Sequence, residues 1–530
     1  MTDNQIASLL KTTAYPDPTD TVRLRQTHVS LIFITDSFVY KIKKPVDLGF
    51  LDFTSLESRL LFCHEELRLN RRLAPHIYLD VVPVRASPSG VSIDGDGVII
   101  DYAVKMSRLP EDLMMNRLLE QKKVSTDQIR ELAQQIAHFH QASAAGPIIA
   151  QYGTPAAVRA NWEENFRIVE QFIGRSISRT DFDFIRNWVE AFLIQNEVLL
   201  QRRVTNGFIR EGDGDLHSAN ICLTDPPVIF DCIEFNERFR FIDTAADIAF
   251  LIMDLDYYCC AEFVPLFISE YCAQTGDDEV TKLIPFYEVY RAFIRGEVES
   301  IKADEAELDC NDRADAAESS RRHFRLARGL IARQRLTRTL FITCGLSGSG
   351  KSALASELSF QLGLELFSSD HIRKQLAGLQ PARKCPDRYR EGLYHPGHTR
   401  LTYDRLRELA DRTLSYGRSV IIDATFQDQH ERQRFKKLAQ AHGVSFVILS
   451  LHCPESDILD RLDHRKDDSN AVSDACRSVY FQQKNGFIPP TREEGEVIDI
   501  DTGMSLMHTI DALLVTLGVL TCGLNSPGSC

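Results

Sequence analysis

The sequence predicts an α+β half followed by an α/β half built on a parallel sheet. Three observations predict it. Short strand patterns crowd the first hundred or so residues and give way to helical ones; strands and helices then alternate from Thr339; and "GLSGSGKS" (345–352) stands between an apolar strand and a helix. The chain has 530 residues, 44% hydrophobic and 26% charged, which fits a soluble globular protein. That length allows roughly two to four domains. A net charge of −14 argues against nucleic acid or an anionic membrane as the main partner, because both attract basic faces. The 13 cysteines lack zinc-site spacing, and the start lacks a basic region followed by an apolar stretch. No apolar run reaches the ~18 residues of a membrane span. These features point to a reducing cytoplasm with free thiols.

The elements follow in order. "HVSLIFIT", "DS" and "FVYKIKKP" read as a hairpin that Pro45 ends. "SLESRLLFCHEELRLNRRLAP" has helical period and stops before Pro75. "IYLDVVPVRA" and "GVIIDYAVKMS" read as two further strands, and helical patterns dominate from about 110 to 205. "REGDGDLHSANICLTDPPVIFDC" (210–232) reads as strand, loop and strand before helices resume at Thr244. The resulting boundaries are a first domain over 1–300, a charge-rich helical connector over 301–337, a second domain over 338–522 and a frayed tail over 523–530.

"GLSGSGKS" satisfies G-x-x-x-x-G-K-[ST] in full. Gly345, Gly348 and Gly350, with Ser347 and Ser349 between them, let the backbone curl so that its N–H groups face phosphate oxygens. Lys351 reaches the outer phosphates, and the Ser352 hydroxyl is placed to ligate Mg²⁺. Downstream, "SSDHIRKQL" puts Asp370 and Arg373 where a strand becomes a helix. Asp370 could take a proton from an acceptor hydroxyl and Arg373 could hold the acceptor; an N-cap and a surface arginine would read the same way. "IIDAT" ends a strand on Asp423, a position for a metal-binding carboxylate or a simple cap. "RLDHRKDD" sets Arg461 and Arg465 on one helical face, as a phosphate-clamping lid or as a solvated charged face.

These motifs, with "RLDHRKDDSNAVSDA", make residues 338–520 resemble the small P-loop kinases that include gluconate kinase-like, zeta-toxin-like and chloramphenicol phosphotransferase-like proteins. The resemblance implies phosphoryl transfer from ATP to a small-molecule hydroxyl. It does not specify the acceptor.

In the first half, Asp215-Leu-His-Ser-Ala-Asn220 has the D-x-x-x-x-N spacing of a kinase catalytic loop, in which Asp orients the hydroxyl and Asn binds Mg²⁺. Asp231 closes the strand "PPVIF", where a second metal-binding carboxylate is wanted. Upstream lie Lys41 on a strand and Glu65 and Glu66 on a helix. This is the chain order a kinase-like fold requires. Period-two alternation puts Lys43 on the face of Lys41, so Lys43 is the reserve candidate. His217 reads as a structural hydrogen-bonder, and Asp247 as a tie between loop and helix.

"GDLHSAN" and "FDCIEFNERFRFIDTAADIAF" make residues 1–300 resemble the aminoglycoside phosphotransferase-type kinases, with a protein-kinase-like two-lobed fold. The resemblance implies Asp215 as catalytic base, Asn220 and Asp231 as Mg²⁺ ligands, and Lys41, paired with Glu66, as the phosphate-binding lysine. It also implies that "VIIDYAVKMSRLP" is the hinge beside adenine, with backbone contacts from Ala103 to Met106. Nearly the whole chain resembles a bacterial family of bifunctional aminoglycoside phosphotransferase/ATP-binding proteins. The chain departs from the pattern at Asp213, where histidine is common. A second carboxylate there raises the pKa of one of the pair unless Mg²⁺ or Arg210 compensates.

The expectation is a phosphotransferase using ATP and Mg²⁺ at two sites, with a small-molecule hydroxyl as acceptor. The competing readings are an active P-loop half regulated by a kinase-like lobe, and a nucleotide-gated interaction protein.

Overall fold

Alternation along Phe38–Lys43 sends Tyr40 and Ile42 to one face of a sheet and Val39, Lys41 and Lys43 to the other. Tyr40 and Ile42 join Leu31, Phe33, Val84 and Ala103 in one core, whereas Val39 packs with Cys63, Leu67 and Val104 in another. In the computed structural model this strand lies inside a six-stranded antiparallel sheet. The order is Arg23–Gln26, Ser30–Ile34, Phe38–Lys43, Val98–Ser107, Tyr78–Ser87, Gly90–Ile93. The structure describes residues 1–49, 51–88, 90–305, 308–380, 392–467 and 476–520, with only the backbone at 465–467. The tail assigned to 523–530 lies outside the described residues.

Helix Leu56–Asn70 starts at Ser55, whose side chain accepts the Ser58 N–H. Its buried residues, Arg59, Cys63, Glu66, Leu67 and Asn70, recur at three- and four-residue intervals and so share one face. That face meets the sheet on the lysine side and places Glu66 there. The edge strands Arg23–Gln26 and Gly90–Ile93 are additions to the expected elements. Arg23–Gln26 is mostly exposed and carries almost no apolar alternation, so its sequence gives no strand signal.

The helical part of this unit packs Val280–Ala303 against Thr244–Tyr257, a helix buried over nearly its whole length. Beside it, fully buried Arg203 donates to Asp243 at 2.7 Å and Asp277 at 2.5 Å. Paired in this way the three charges are tolerable in the interior; removing one partner costs roughly 3–5 kcal/mol.

The second unit is a five-stranded, wholly parallel sheet in the order Glu365–Ser368, Val420–Asp423, Thr339–Cys344, Ser445–His452, Glu496–Asp501. All six residues of the central strand Thr339–Cys344 are buried, as expected for a strand covered on both faces. Buried Arg432 ties the far side together through Glu494 at 2.7 Å.

By compactness the units are Met1–Ile177 with Arg186–His323, and Ser178–Ile185 with Phe324–Cys530. The charge-rich connector is one helix, Cys310–Arg333, with residues through His323 belonging to the first unit and the rest to the second. In the second unit Arg328 is buried against Asp181 at 2.9 Å and Asp511 at 2.7 Å, which holds the 178–185 segment to it. Among the described residues no helix is long and apolar enough to cross a membrane.

Glu297, on the Val280–Ala303 helix, is buried, and its Oε2 has no hydrogen-bond partner among the described residues. Burial, with the Glu164 charge nearby, pushes its carboxyl up from 4.5 to about 8. The folded chain therefore holds a proton that the unfolded chain releases. This group's penalty is absent below pH 4.5, grows as pH rises, and is complete above about 8. Denaturation midpoints should fall between about pH 5 and pH 8.5, and Glu297→Gln should flatten that fall.

Candidate functional site

Where the central strand ends at Cys344, the chain turns through 345–350 into helix Lys351–Leu362. Two positions demand glycine. Gly348 has φ +86°, and a Cβ there would meet Ile458 Cγ2 at 2.8 Å; at Gly345 a Cβ would meet the Leu451 carbonyl at 2.5 Å. The loop is held from outside. Gly345 N–H donates to Thr425 O at 3.1 Å, Ser347 N–H to Gln483 Oε1 at 3.0 Å, and Thr502 Oγ1 to Ser349 O at 2.9 Å. Lys351 Nζ lies on Leu346 O at 2.7 Å, and Ser352 Oγ donates to Asp423 Oδ2 at 2.7 Å. Burial pushes the Asp423 carboxyl up; the Ser352 hydrogen bond and Lys351 oppose this, and Asp370 adds to it. A hydroxyl–carboxylate pair beside a lysine and a helix N-terminus is a donor set that fits a nucleotide phosphate with its Mg²⁺.

Lys351, Ser352, Asp370, Arg373, Asp423 and Gln483 line one cavity of about 1690 Å³. Arg373 is buried and donates through Nη1 to Asp370 Oδ1 at 2.8 Å, while its Nε has no partner among the described residues. The pair spans one turn of helix Ser369–Leu376, so Arg373 is not a surface arginine. Arg461 does not line this cavity among the described residues. Its Nη2 donates to Thr502 O at 2.6 Å and its Nη1 to Thr502 Oγ1 at 3.3 Å, committing it to the strand end behind the loop. The structure thus places the Arg461 guanidinium on Thr502 rather than in the cavity. The Arg465 side chain lies outside the described residues.

In the first unit Glu66 is fully buried and receives two lysines, Lys41 on Oε1 at 2.9 Å and Lys43 on Oε2 at 2.7 Å. Burial pushes the Glu66 carboxyl up, but the two ammonium groups outweigh it and hold it down at about 2. Glu65 faces away, with its oxygens on Arg68 at 2.7 and 2.9 Å. Lys41 also reaches Asp231 Oδ1 at 2.5 Å, and Lys43 reaches Glu234. Asp231 sits at φ +67°, a left-handed conformation that turns its carboxylate, 43% exposed, outward beside Lys41.

The loop 213–220 hangs from Asp247, which accepts the N–H groups of Asp213 at 2.7 Å and Gly214 at 3.0 Å. Asp247 is in turn held by His140 at 3.1 Å. Arg291 braces the same turn by donating to Gly214 O at 3.1 Å. Within the loop Asn220 Nδ2 donates to Asp215 Oδ2 at 3.0 Å. His217 Nε2 lies 3.3 Å from the same Oδ2, and its Nδ1 accepts the Ala219 N–H.

The two neighbouring carboxylates divide their protonation. Burial, then Asp247 and Asp215, push Asp213 well above the usual carboxylate range. Burial acts on Asp215 in the same sense, but His217, Arg295 and Arg291 outweigh it and hold it at about 2. Arg210 takes no part in this. It donates to the carbonyls of Gln141 and Ser143, and burial remains the first cause pushing the Asp213 carboxyl up.

The register also corrects the hinge. Ala103 pairs with Ile42 on one side and Val82 on the other, and Met106 pairs with Val39 and Tyr78. Backbone inside a central strand has no group left for adenine. The strand runs out at Ser107, and Arg108 N–H already donates to Ser37 O at 2.9 Å. Sequence reasoning missed Glu234, Gln483 and Thr502. Each touches its site from a distant segment, and only "FDCIEFN", with its second acid, carried any local signal.

Gly348→Ala should lower the second unit's denaturation midpoint, read by thermal unfolding, since the left-handed backbone and the Ile458 contact both oppose a Cβ there.

Comparison with known proteins agrees with this division. Residues 50–290 match the phosphotransferase enzyme family, and residues 340–490 match the AAA domain family. Uncharacterized proteins of Mycobacterium tuberculosis (strain ATCC 25618 / H37Rv) and Mycobacterium bovis are each 29% identical over 419 residues, covering 79% of this chain and 81% of theirs. Among solved structures, a sugar kinase from Janibacter sp. HTCC2649 matches at 20% identity over 35% of this chain and 99% of its own, with a TM-score of 0.26. A gluconokinase from Sinorhizobium meliloti 1021 matches at 20% identity over 35% of this chain and 94% of its own, with a TM-score of 0.25. The chain thus joins a segment similar to the phosphotransferase enzyme family to a segment similar to the AAA domain family.

Proposed function

We propose that the chain is an ATP-dependent phosphotransferase with two nucleotide sites, each passing the γ-phosphoryl group to a hydroxyl of a small molecule. The observation that carries this reading is the shared cavity of the second unit. A phosphate loop, a hydroxyl–carboxylate pair and an aspartate–arginine pair line one space.

In that unit Lys351, released from the Leu346 carbonyl, would draw charge from the outer phosphates, and Ser352 and Asp423 would hold Mg²⁺, which when bound would supply neutralisation of charge on the phosphoryl oxygens. Asp370, oriented by Arg373, accepts the hydroxyl proton as the oxygen attacks. In the first unit Asp215 plays that part. Its carboxylate, held at about 2, is aimed by Asn220 and His217. Asn220 and Asp231 are the groups for Mg²⁺, and Lys41 for the phosphates. All cysteines among the described residues are free, in keeping with work in the cytoplasm.

The test is ATP turnover screened against sugars, aminoglycosides, nucleosides and small alcohols, in Asp215→Asn and Lys351→Ala separately. An acceptor used at one site should lose roughly 100-fold or more of its turnover in one variant and little in the other. Acceptors that all depend on Lys351 alone would remove the first unit from the reading. ATP binding with no acceptor-stimulated turnover anywhere would remove the transferase reading altogether.

A further inference from the structure

The reading above uses Lys41, Glu66 and Asp231, and leaves a second buried ion pair unexplained. Lys43 is 1% exposed and Glu234 6%, so neither can meet a ligand. Lys43 also lies 4.9 Å from the centre of the Phe53 ring, which closes one side of its site. Two buried charges that touch no ligand cost desolvation, and an apolar pair could fill the same space. Their geometry supplies a reason to keep them. Each Glu66 oxygen takes one lysine, and each lysine takes one carboxylate from the 231–234 segment.

The two lysines are not equivalent. Lys41 shares Asp231, whose side chain is half-exposed, whereas Lys43 shares an acid that is buried. Asp231, once committed to a cation, lets go of Lys41. Lys41 is then positioned by Glu66 alone, and Glu66 holds its orientation only if its other oxygen stays engaged. The same segment is fastened to the helix by Cys232 N–H donating to Asn70 Oδ1 at 2.9 Å, which ties the 231–234 turn to the helix that carries Glu66.

We propose that Lys43 and Glu234 are positioning residues: a buried second ion pair that locks the Glu66 carboxylate so that Lys41 stays aimed at the phosphates after Asp231 releases it. This rests on the nucleotide reading of the first unit.

The test uses full-length protein carrying Lys351→Ala, which silences the other phosphate loop. Dissociation constants for Mg·ATP and for adenosine are measured by calorimetry, with and without Lys43→Met plus Glu234→Gln. That double change removes one charge of each sign. Mg·ATP should weaken about tenfold, the worth of one charge-assisted hydrogen bond, while adenosine, which lacks phosphates, is unmoved. The ratio of the two constants is the readout, because a merely structural role would shift both together. If the Lys351→Ala protein binds no Mg·ATP, the nucleotide reading falls and the proposal with it. If it binds and the ratio is unchanged in the double variant, the proposal alone is overturned. Should the double variant not fold, the isosteric Glu234→Gln decides by the same ratio.

Discussion

A carboxylate with no exposed surface stays ionised only where positive charge reaches it directly, and Glu66 is such a carboxylate. Its two oxygens face two lysines one strand-period apart, and those lysines reach forward to Asp231 and Glu234. The rest of the first unit is consistent with this constraint. Helix Leu56–Asn70 must present Glu66 to the polar side of the sheet, and the strand must keep its register so that both lysines stay on that side. Removing Lys43 would leave Glu234 buried and unpaired.

The second unit answers a different requirement. Its phosphate loop needs backbone that only glycine adopts, and the loop does not hold itself. Thr425, Gln483 and Thr502, from three separate segments, fasten it. The central strand delivers the loop at the carboxyl end of a parallel sheet, where α/β folds place their ligands. Asp423 arrives on the adjacent strand and reaches Ser352. The two units thus assemble their charged groups by unrelated routes, one by charge pairing across a sheet and a helix, the other by loop conformation at the carboxyl end of a central strand.

Much of this was legible beforehand. The hairpin, the Glu66 helix, the alternation at the P-loop half, the loop from Asp215 to Asn220 and the tie through Asp247 all follow from short-range pattern. Period two put Lys41 and Lys43 on one face, and i, i+3 spacing put Asp370 beside Arg373. The misplacements share a cause. Arg461, Arg210 and the Ala103–Met106 backbone were read as free, but each is taken up by a partner far away in sequence. Local pattern reports which groups are polar; it does not report which are already occupied.

The sequence by itself determined the order of elements, the complete phosphate motif and the identity of the acids in the 213–231 loop, because these depend on residue type and spacing alone. Only the tertiary structure decided that Lys43 meets Glu66 alongside Lys41, that Glu234 closes the cluster, and that the Asp213 carboxyl is pushed up while Asp215 is held down. Those outcomes depend on burial and on charges brought together from distant segments, and neither exists until the chain has folded.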